Sequence, residues 1–292
     1  MSLAAVRRAV WDGSIPCRID LDPSECRSLE GIDPYFITIP RISYLPIIIP
    51  KVYRFFEPHL KDTARAQQNS AWFEFENVPL KWHWPVGVLF DQTTGRDPSH
   101  LRHSRIADED DDVKLPWSLS LRFQNFPTKH LMRLDLPNAC HDAWKNTVKE
   151  ADHVRNGNPN TFMSLSRGDS ASLWEAICTH DFEIFWGINE KLLNPPSGPI
   201  KFIPCRIYIP SSTRVIQAPC PPYITSSDRD PQTLGLFLHN QLPQLFPSRR
   251  SPMIARPVVH GAIVPWTAPV LELAQAAVHA DGFLHITIAM VQ

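Results

Sequence analysis

Residues 15–19 read Ile-Pro-Cys-Arg-Ile, and the same five residues return at 203–207. Each copy lies in an alternating apolar stretch, the pattern typical of a half-buried strand. Each copy also begins a segment of about one hundred residues in which similar elements follow in the same order. The repeat therefore predicts that one structural plan occurs twice in the chain.

The elements of the two copies can be placed from periodicity and turn residues. The first copy has predicted strands at 15–21, 35–39, within the aromatic run 71–85 and at 116–123, and a helix within 46–60 that starts with Pro50 in its first turn. The second copy has predicted strands at 202–209, 215–218, 258–264 and 283–291, with helices at 234–245 and 271–278. A strand pair, a crossing helix and further strands form the ubiquitin-like β-grasp. We predict an α+β fold with two ubiquitin-like β-grasp domains, at 11–127 and 200–292.

A helical region is predicted between these domains, at 128–199, and a short helix at 1–10 precedes them. The region contains a helix from Asn138, a plausible N-cap, to a stop at Asn156-Gly157. The helix has one apolar stripe, formed by Cys140, Trp144, Val148, Ala151 and Val154. Its other face carries Lys145, Lys149 and Asp152, which we expect to meet water. The helix alone does not distinguish a chemically used Lys149 from an ordinary solvated lysine.

The composition excludes several classes of protein. A net charge of −1 argues against a dedicated nucleic-acid binder. Six isolated cysteines and no apparent secretory signal favour reduced core thiols and a cytoplasmic protein. Residues 92–114, which end in the acidic run 108–112, are predicted to be an exposed, disordered loop. A metal site formed by His100, His103 and these acids is the weaker reading, so no metal is predicted.

The sequence lacks the common motifs of catalysis and nucleotide binding, so no cofactor is predicted. Its nearest approach to a nucleophile site is Cys178-Thr179-His180-Asp181, with Cys140-His141 second. Consecutive residues of a helix point in different directions, so we interpret Cys178 and Cys140 as buried thiols. The residues thus favour a binding or scaffold protein without catalytic residues, and a thiol enzyme is the less favoured alternative.

Six longer motifs lie along nearly the whole chain: WDGSIP at 11–16, WFEFENVPLKWHWPVGVLFD at 72–91, VKEAD at 148–152, FWGINEKL at 185–192, IPCRIYIP at 203–210 and DGFLHITI at 281–288. Together these motifs resemble the autophagy protein 5 family. The resemblance implies two ubiquitin-like domains around a helical region. It also implies that Lys149, which stands immediately before Glu-Ala-Asp, is joined by an isopeptide bond to the ubiquitin-like autophagy protein 12. Lys145 does not occupy the motif position.

The resemblance further implies a set of partners and a location. The conjugate would bind autophagy protein 16 through an amphipathic helix and stimulate the lipid-conjugating enzyme, in the manner of a ligase. That enzyme transfers autophagy protein 8 to phosphatidylethanolamine during autophagosome formation. We expect a cytoplasmic protein, recruited peripherally to the membrane at the phagophore assembly site. Gly87 and Asp91 are the predicted contacts for the partner helix, with core packing and helix capping as equal alternatives. A non-covalent adaptor is the alternative function.

Overall fold

The computed structural model describes residues 2–28, 32–95, 115–134, 138–194, 198–210, 212, 214–225 and 230–291. These residues divide into two compact units. The first unit contains residues 13–90 and 115–144. The second unit contains residues 2–12, 91–95 and the described part of 145–291. The predicted loop at 96–114, with its acidic run and both histidines, lies outside the described residues.

The first unit contains a five-stranded sheet among its described residues. Its strands are β1 (Ser14–Leu21), β2 (Tyr35–Pro40), β3 (Trp72–Phe75), β4 (Val78–Pro79) and β5 (Trp117–Arg122), in the order β2-β1-β5-β3-β4. The pair β1–β5 is parallel and the other pairs are antiparallel. Strand β1 alternates as predicted, since Ile15, Cys17 and Ile19 are buried and the residues between them face out. Helices α2 (Leu45–Phe56) and α3 (Val86–Thr94) complete the plan.

The second unit contains a sheet of the same order. Its strands are β6 (Ile203–Tyr208), β7 (Val215–Cys220), β8 (Ala255–Val259), β9 (Ala262–Ile263) and β10 (Leu284–Met290), in the order β7-β6-β10-β8-β9. Strand β6 again lies parallel to the last strand, β10, so Cys205 faces Leu284 as Cys17 faces Trp117. Helices α8 (Leu234–Gln241) and α9 (Val270–Ala277) follow in the places of α2 and α3. The internal repeat is therefore confirmed.

Five further α-helices lie among the described residues. They are α1 (Leu3–Trp11), α4 (Ala139–Asn156), α5 (Asn160–Met163), α6 (Arg167–Thr179) and α7 (Phe182–Leu193). Asp181 separates α6 from α7, because its side chain accepts a hydrogen bond from Ile184 N at 3.0 Å and caps α7.

The prediction for helix α2 was wrong in its start. Pro46, not Pro50, lies in the first turn, and Pro50 lies inside the helix. An interior proline costs about 3 kcal/mol. The earlier start adds Leu45 to the buried stripe, which continues through Ile48 and Ile49. Each buried aliphatic side chain contributes about 1.5–3 kcal/mol, so burial outweighs the cost of the proline.

The structure corrects two further predictions, the single strand at 258–264 and the start of the loop at residue 92. The single strand predicted at 258–264 is a hairpin, since His260 and Gly261 have φ values of 50° and 76° between β8 and β9. Glu76 and Asn77, with φ of 48° and 62°, make the matching turn in the first unit. Residues 92–94, assigned to the loop, continue helix α3.

Candidate functional site

Helix α4 presents Lys149 near its middle. Four members of the predicted stripe are buried, and Val154 is half-buried; the four are Cys140, Trp144, Val148 and Ala151. The predicted stop is confirmed at Gly157, whose φ is +82° and whose N–H donates to His153 O at 2.7 Å. From Lys145 onward the helix belongs to the second unit, as do all the contacts described next.

The inner side of the helix packs against the turn before strand β10. Ala151 is fully buried, and a Cβ placed on Gly282 would lie 2.9 Å from the Cβ of Ala151. Arg155 Nη2 donates to Gly282 O at 2.8 Å. Burial lowers the pKa of Arg155 to about 10, while the Asp152 carboxylate acts in the opposite direction. The guanidinium therefore remains charged near neutral pH and ties the helix to this turn.

One flank of the helix contacts the second sheet through Glu150. The Glu150 carboxylate accepts from Arg206 Nη2 and from Gln217 Nε2, each at 2.8 Å. Arg206 Nε also donates to Gln217 Oε1 at 3.1 Å, and its guanidinium lies 3.9 Å from the centroid of the Phe283 ring. Glu150 is thus bound by one residue of β6 and one of β7.

The other flank is held by Asp152, and here the prediction was wrong. Asp152 was expected in water, but it is 1% exposed. Its carboxylate accepts from Phe162 N at 2.9 Å and from Asn156 Nδ2 at 2.6 Å. The segment from 157 to 162, which includes the start of α5, folds back over the helix and covers this side, and helical periodicity cannot reveal such a contact.

Lys149 lies on the remaining side. At about 100° per residue, it is about 160° around the helix from Ala151, between the flanks that carry Glu150 and Asp152. Both Lys149 and Lys145 are partly exposed. Within the described part of the chain, the Lys149 amine makes no hydrogen bond and no ion pair. The helix is thus fixed on three sides and presents the Lys149 amine on the fourth, with Lys145, also partly exposed, one turn away.

Gly87 and Asp91 lie one turn apart on α3, with Gly87 in the first unit and Asp91 in the second. Gly87 is buried; its N–H donates to Arg41 O at 2.8 Å, and its carbonyl accepts from Arg41 Nη2 at 3.2 Å. A Cβ at this position would lie 2.9 Å from Arg41 Cβ. Asp91 is partly exposed, and its carbonyl accepts from Gly95 N at 3.2 Å. Internal packing, one of the alternatives, accounts for a glycine at 87.

The cysteine constellations do not form an activated nucleophile. Burial, and then the charge of Glu175, raise the pKa of Cys178 to about 11. His180 ends helix α6 in a left-handed conformation and stacks on Trp11, with ring centroids 5.1 Å apart. Burial lowers the pKa of His180, with Asp12 opposing. Cys140 is buried and forms no disulfide with another described cysteine. A reactive thiolate needs a lowered pKa, so Cys178 lacks the main requirement of a thiol enzyme.

Sequence reasoning missed the residues that hold Lys149 in place. Arg206 stands in the repeated pentapeptide, but its counterpart Arg18 pairs with Asp20 on its own strand, so the repeat does not reveal the contact to Glu150. Neither Gln217 nor Gly282 stands in the repeated pentapeptide, so the repeat does not indicate their contacts with helix α4. The described residues contain no group of three or more His, Cys, Asp or Glu side chains arranged for a metal ion. Over the same residues, no helix combines the length and apolar character needed to cross a membrane.

Family models match most of the chain. The model described as Autophagy protein ATG5, UblA domain, matches residues 10–123. The alpha-helical bundle region of the same protein matches 137–195, and its UblB domain matches 202–288. These matches confirm the predicted class of fold, with two ubiquitin-like domains that flank a helical region.

Proteins named Autophagy protein 5 are similar over almost the full length. The relative from Aspergillus fumigatus is 42% identical over 316 aligned residues, which cover 99% of this chain and 96% of that protein. The relative from Aspergillus terreus is 41% identical, with 99% and 98% covered. A crystal structure of Atg5 from Kluyveromyces marxianus has a TM-score of 0.78 and 22% identity, and it covers 97% of this chain. The solved structure supports the fold alone.

Proposed function

Because the chain belongs to the autophagy protein 5 family and has a role in autophagy, we propose that it is the acceptor of autophagy protein 12. Lys149 supplies the amine, and the product is an isopeptide bond. The observation that carries this proposal is the helix that holds Lys149 outward while Glu150, Ala151 and Asp152 are bound by the second unit. The three residues after the lysine thus have contacts that explain their place in the motif.

The chemistry is transfer of an acyl group from sulfur to nitrogen. The Lys149 nitrogen attacks the carbonyl carbon of a thioester between protein 12 and a cysteine of the conjugating enzyme. A C–N bond forms, the C–S bond breaks, and the sulfur leaves and takes up the proton that the nitrogen loses. An ordinary lysine with a pKa near ~10.4 is neutral only about once in a thousand molecules at pH 7.4. The conjugating enzyme must therefore remove this proton, and the chain itself acts as substrate and scaffold, without an active site of its own.

A rigid acceptor suits this reaction. Fixing a nucleophile in place reduces the entropy lost when the reacting atoms meet, and good alignment is worth several orders of magnitude in rate. The contacts of Arg155 to Gly282 and of Asp152 to Phe162 keep the helix backbone in one position. Only the side chain of Lys149 then has to be ordered by the enzyme. This lower entropic cost supports the acceptor role for Lys149 over that of an ordinary surface lysine.

The conjugate acts further on in the pathway through two partners. Autophagy protein 16 supplies an amphipathic helix, for which Gly87 and Asp91 stay candidate contacts, and the complex stimulates the enzyme that lipidates autophagy protein 8. The protein works in the cytoplasm and at the phagophore membrane, which it contacts peripherally. The family membership supports partners of this kind in general.

Reconstitution with the conjugating components tests the acceptor role. We expect Lys149→Arg to abolish the heavier, covalently joined species while the chain keeps its melting temperature. Lys145→Arg, one turn away on the same helix, is the matched control and should conjugate normally. Loss of the species only in Lys145→Arg would contradict the assignment. Full lipidation activity of the unconjugated Lys149→Arg chain would instead favour the non-covalent adaptor.

A further inference from the structure

The two copies of the repeated pentapeptide use their arginine differently. Arg18, in the first copy, pairs with Asp20 two residues along the same strand, at 2.9 Å, and both side chains are well exposed. Arg206, in the second copy, pairs with Glu150 of helix α4, and its side chain is 15% exposed. The same strand position therefore holds a local surface pair in one copy and a contact between a sheet and a helix in the other.

The contact made by Arg206 has a defined geometry. Its guanidinium lies over the Phe283 ring, donates to Glu150 and donates to Gln217. Gln217 completes the set, because its amide donates to the second carboxylate oxygen of Glu150. A planar guanidinium that stacks on a ring and donates to fixed acceptors has little freedom to move. Glu150 is consequently held at both carboxylate oxygens.

This network contributes little to folding. The Glu150 side chain is 47% exposed, and ion pairs that reach solvent to this extent stabilise proteins only weakly. The buried contacts of Ala151, Asp152 and Arg155 already dock the helix. The network thus adds geometric restraint at the residue next to Lys149 more than it adds stability.

We propose that Glu150, Arg206 and Gln217 form a positioning clamp that fixes the Lys149 amine for attack on the thioester, an inference that rests on the acceptor function proposed above. Arg206 and Gln217 act through Glu150, so they are positioning residues. The clamp holds the Glu150 side chain against the sheet, and this restrains the turn of the helix from which the neighbouring Lys149 side chain leaves. The acyl transfer is the one written above, and the clamp takes no proton in it.

Single-turnover transfer from the enzyme-bound thioester of protein 12 to the full chain tests the clamp. The rate constant is measured over a range of chain concentrations, which separates the maximal rate constant from the half-saturating concentration. We expect Arg206→Met, which keeps an apolar contact with Phe283, to lower the maximal rate constant about tenfold, as misalignment of a nucleophile does. Glu150→Gln should lower it about threefold, and both variants should keep the half-saturating concentration within about twofold.

Two further variants separate positioning from other roles. Arg206→Lys restores a cation to Glu150 and should recover part of the lost rate. Arg18→Met removes the equivalent arginine of the first copy and should leave both kinetic parameters unchanged. Hydrogen exchange gives a readout without the enzyme, and we expect faster exchange of the amides of 147–151 in Glu150→Gln at an unchanged melting temperature.

Several results would overturn the clamp. An unchanged maximal rate constant in both Arg206→Met and Glu150→Gln would do so. A loss confined to the half-saturating concentration would also do so, because it would make these residues an enzyme-docking surface. If the wild-type chain formed no conjugate at Lys149, the acceptor function itself would fail, whatever the exchange data gave.

Discussion

The lack of a side chain at Gly87 allows close packing inside the first unit. The helix α3 backbone approaches Arg41 so closely that a Cβ at 87 would lie 2.9 Å from Arg41 Cβ and 3.1 Å from Arg41 O. The backbone atoms of Gly87 also exchange hydrogen bonds with Arg41. These contacts lie within the first unit and require no partner protein. Internal packing alone therefore explains why residue 87 is a glycine.

Gly87→Ala is expected to lower the free energy of unfolding by about 1–3 kcal/mol, because the added methyl group overpacks this contact. Chemical denaturation of the unliganded chain measures the change. Gly187→Ala, on α7 with nothing within 4 Å of its added Cβ, is the control and should stabilise by about 0.5–1 kcal/mol through helix propensity. Unchanged stability of Gly87→Ala, together with weaker binding of a protein 16 helix, would assign Gly87 to the partner surface instead.

Cys178 provides a second test at the scale of one residue. With a pKa of about 11, its thiol is ionised in about one molecule in three thousand at pH 7.5. We expect iodoacetamide to alkylate it at least about tenfold more slowly than free cysteine, whose pKa is ~8.5, because the lower thiolate fraction outweighs the higher nucleophilicity of a thiolate with a raised pKa. The rate is followed by mass spectrometry of the peptide that contains Cys178. Alkylation as fast as that of free cysteine would favour the alternative that the protein is a thiol enzyme.

Part of the candidate site could be predicted from residues alone. The stripe of α4 and its stop at Gly157 follow from local periodicity and from the conformational freedom of glycine. The roles of Glu150 and Asp152 could not be predicted, because their partners lie 56 and 10 residues away in sequence. Charged residues on a helix are ordinarily solvated, and only the fold shows that a strand arginine and a loop amide meet them.

Helix α4 is secured at the element scale by its return loop. Asp152 accepts the Phe162 amide and the Asn156 side chain, and both interactions are buried. Asp152→Ala leaves these donors without an acceptor, so we expect a loss of about 1–3 kcal/mol in the free energy of unfolding. Asn146→Ala, exposed on the same helix, should be neutral or slightly stabilising. Equal stability of the two variants in urea denaturation would mean that the loop contributes nothing to holding α4.

The elements themselves were largely predictable, and the exceptions have physical causes. Strong alternation in 15–21 and 116–123 gave strands close to the observed β1 and β5. The β8–β9 hairpin was missed because His260 adopts a positive φ, which is uncommon for residues other than glycine, although histidine adopts it more often than most. Pro50 was misplaced because local propensity favours proline in a first turn, whereas burial of the α2 stripe fixed the helix start at Leu45.

The whole molecule combines a duplicated sheet with an N-terminal helix that does not belong to the unit following it in sequence. Helix α1 is part of the second unit, where Trp11 packs on Phe185 with ring centroids 4.7 Å apart. Arg7 donates to Gln275 O at 3.0 Å and lies over the Trp186 ring. The first residues of the chain therefore complete a unit formed mostly by its C-terminal half.

Trp11→Ala is expected to destabilise the second unit by about 3–5 kcal/mol, since Trp11 is 3% exposed. Hydrogen exchange resolved by peptide should show lost protection in α7 and α9. Strand β1, which follows Trp11 directly in sequence, and its neighbour β5 belong to the first unit and should keep theirs. Loss of protection confined to the first unit would contradict the assignment of α1.

The central claim is that Lys149 is the conjugated residue, and the position of the branch in the wild-type conjugate tests it most directly. Reconstituted conjugate is digested, and the branched peptide is sequenced by tandem mass spectrometry. The account predicts one branch, on the lysine between Val148 and Glu150. A branch on Lys145 or on any other lysine, or the absence of a branched peptide from a complete reaction, would contradict it.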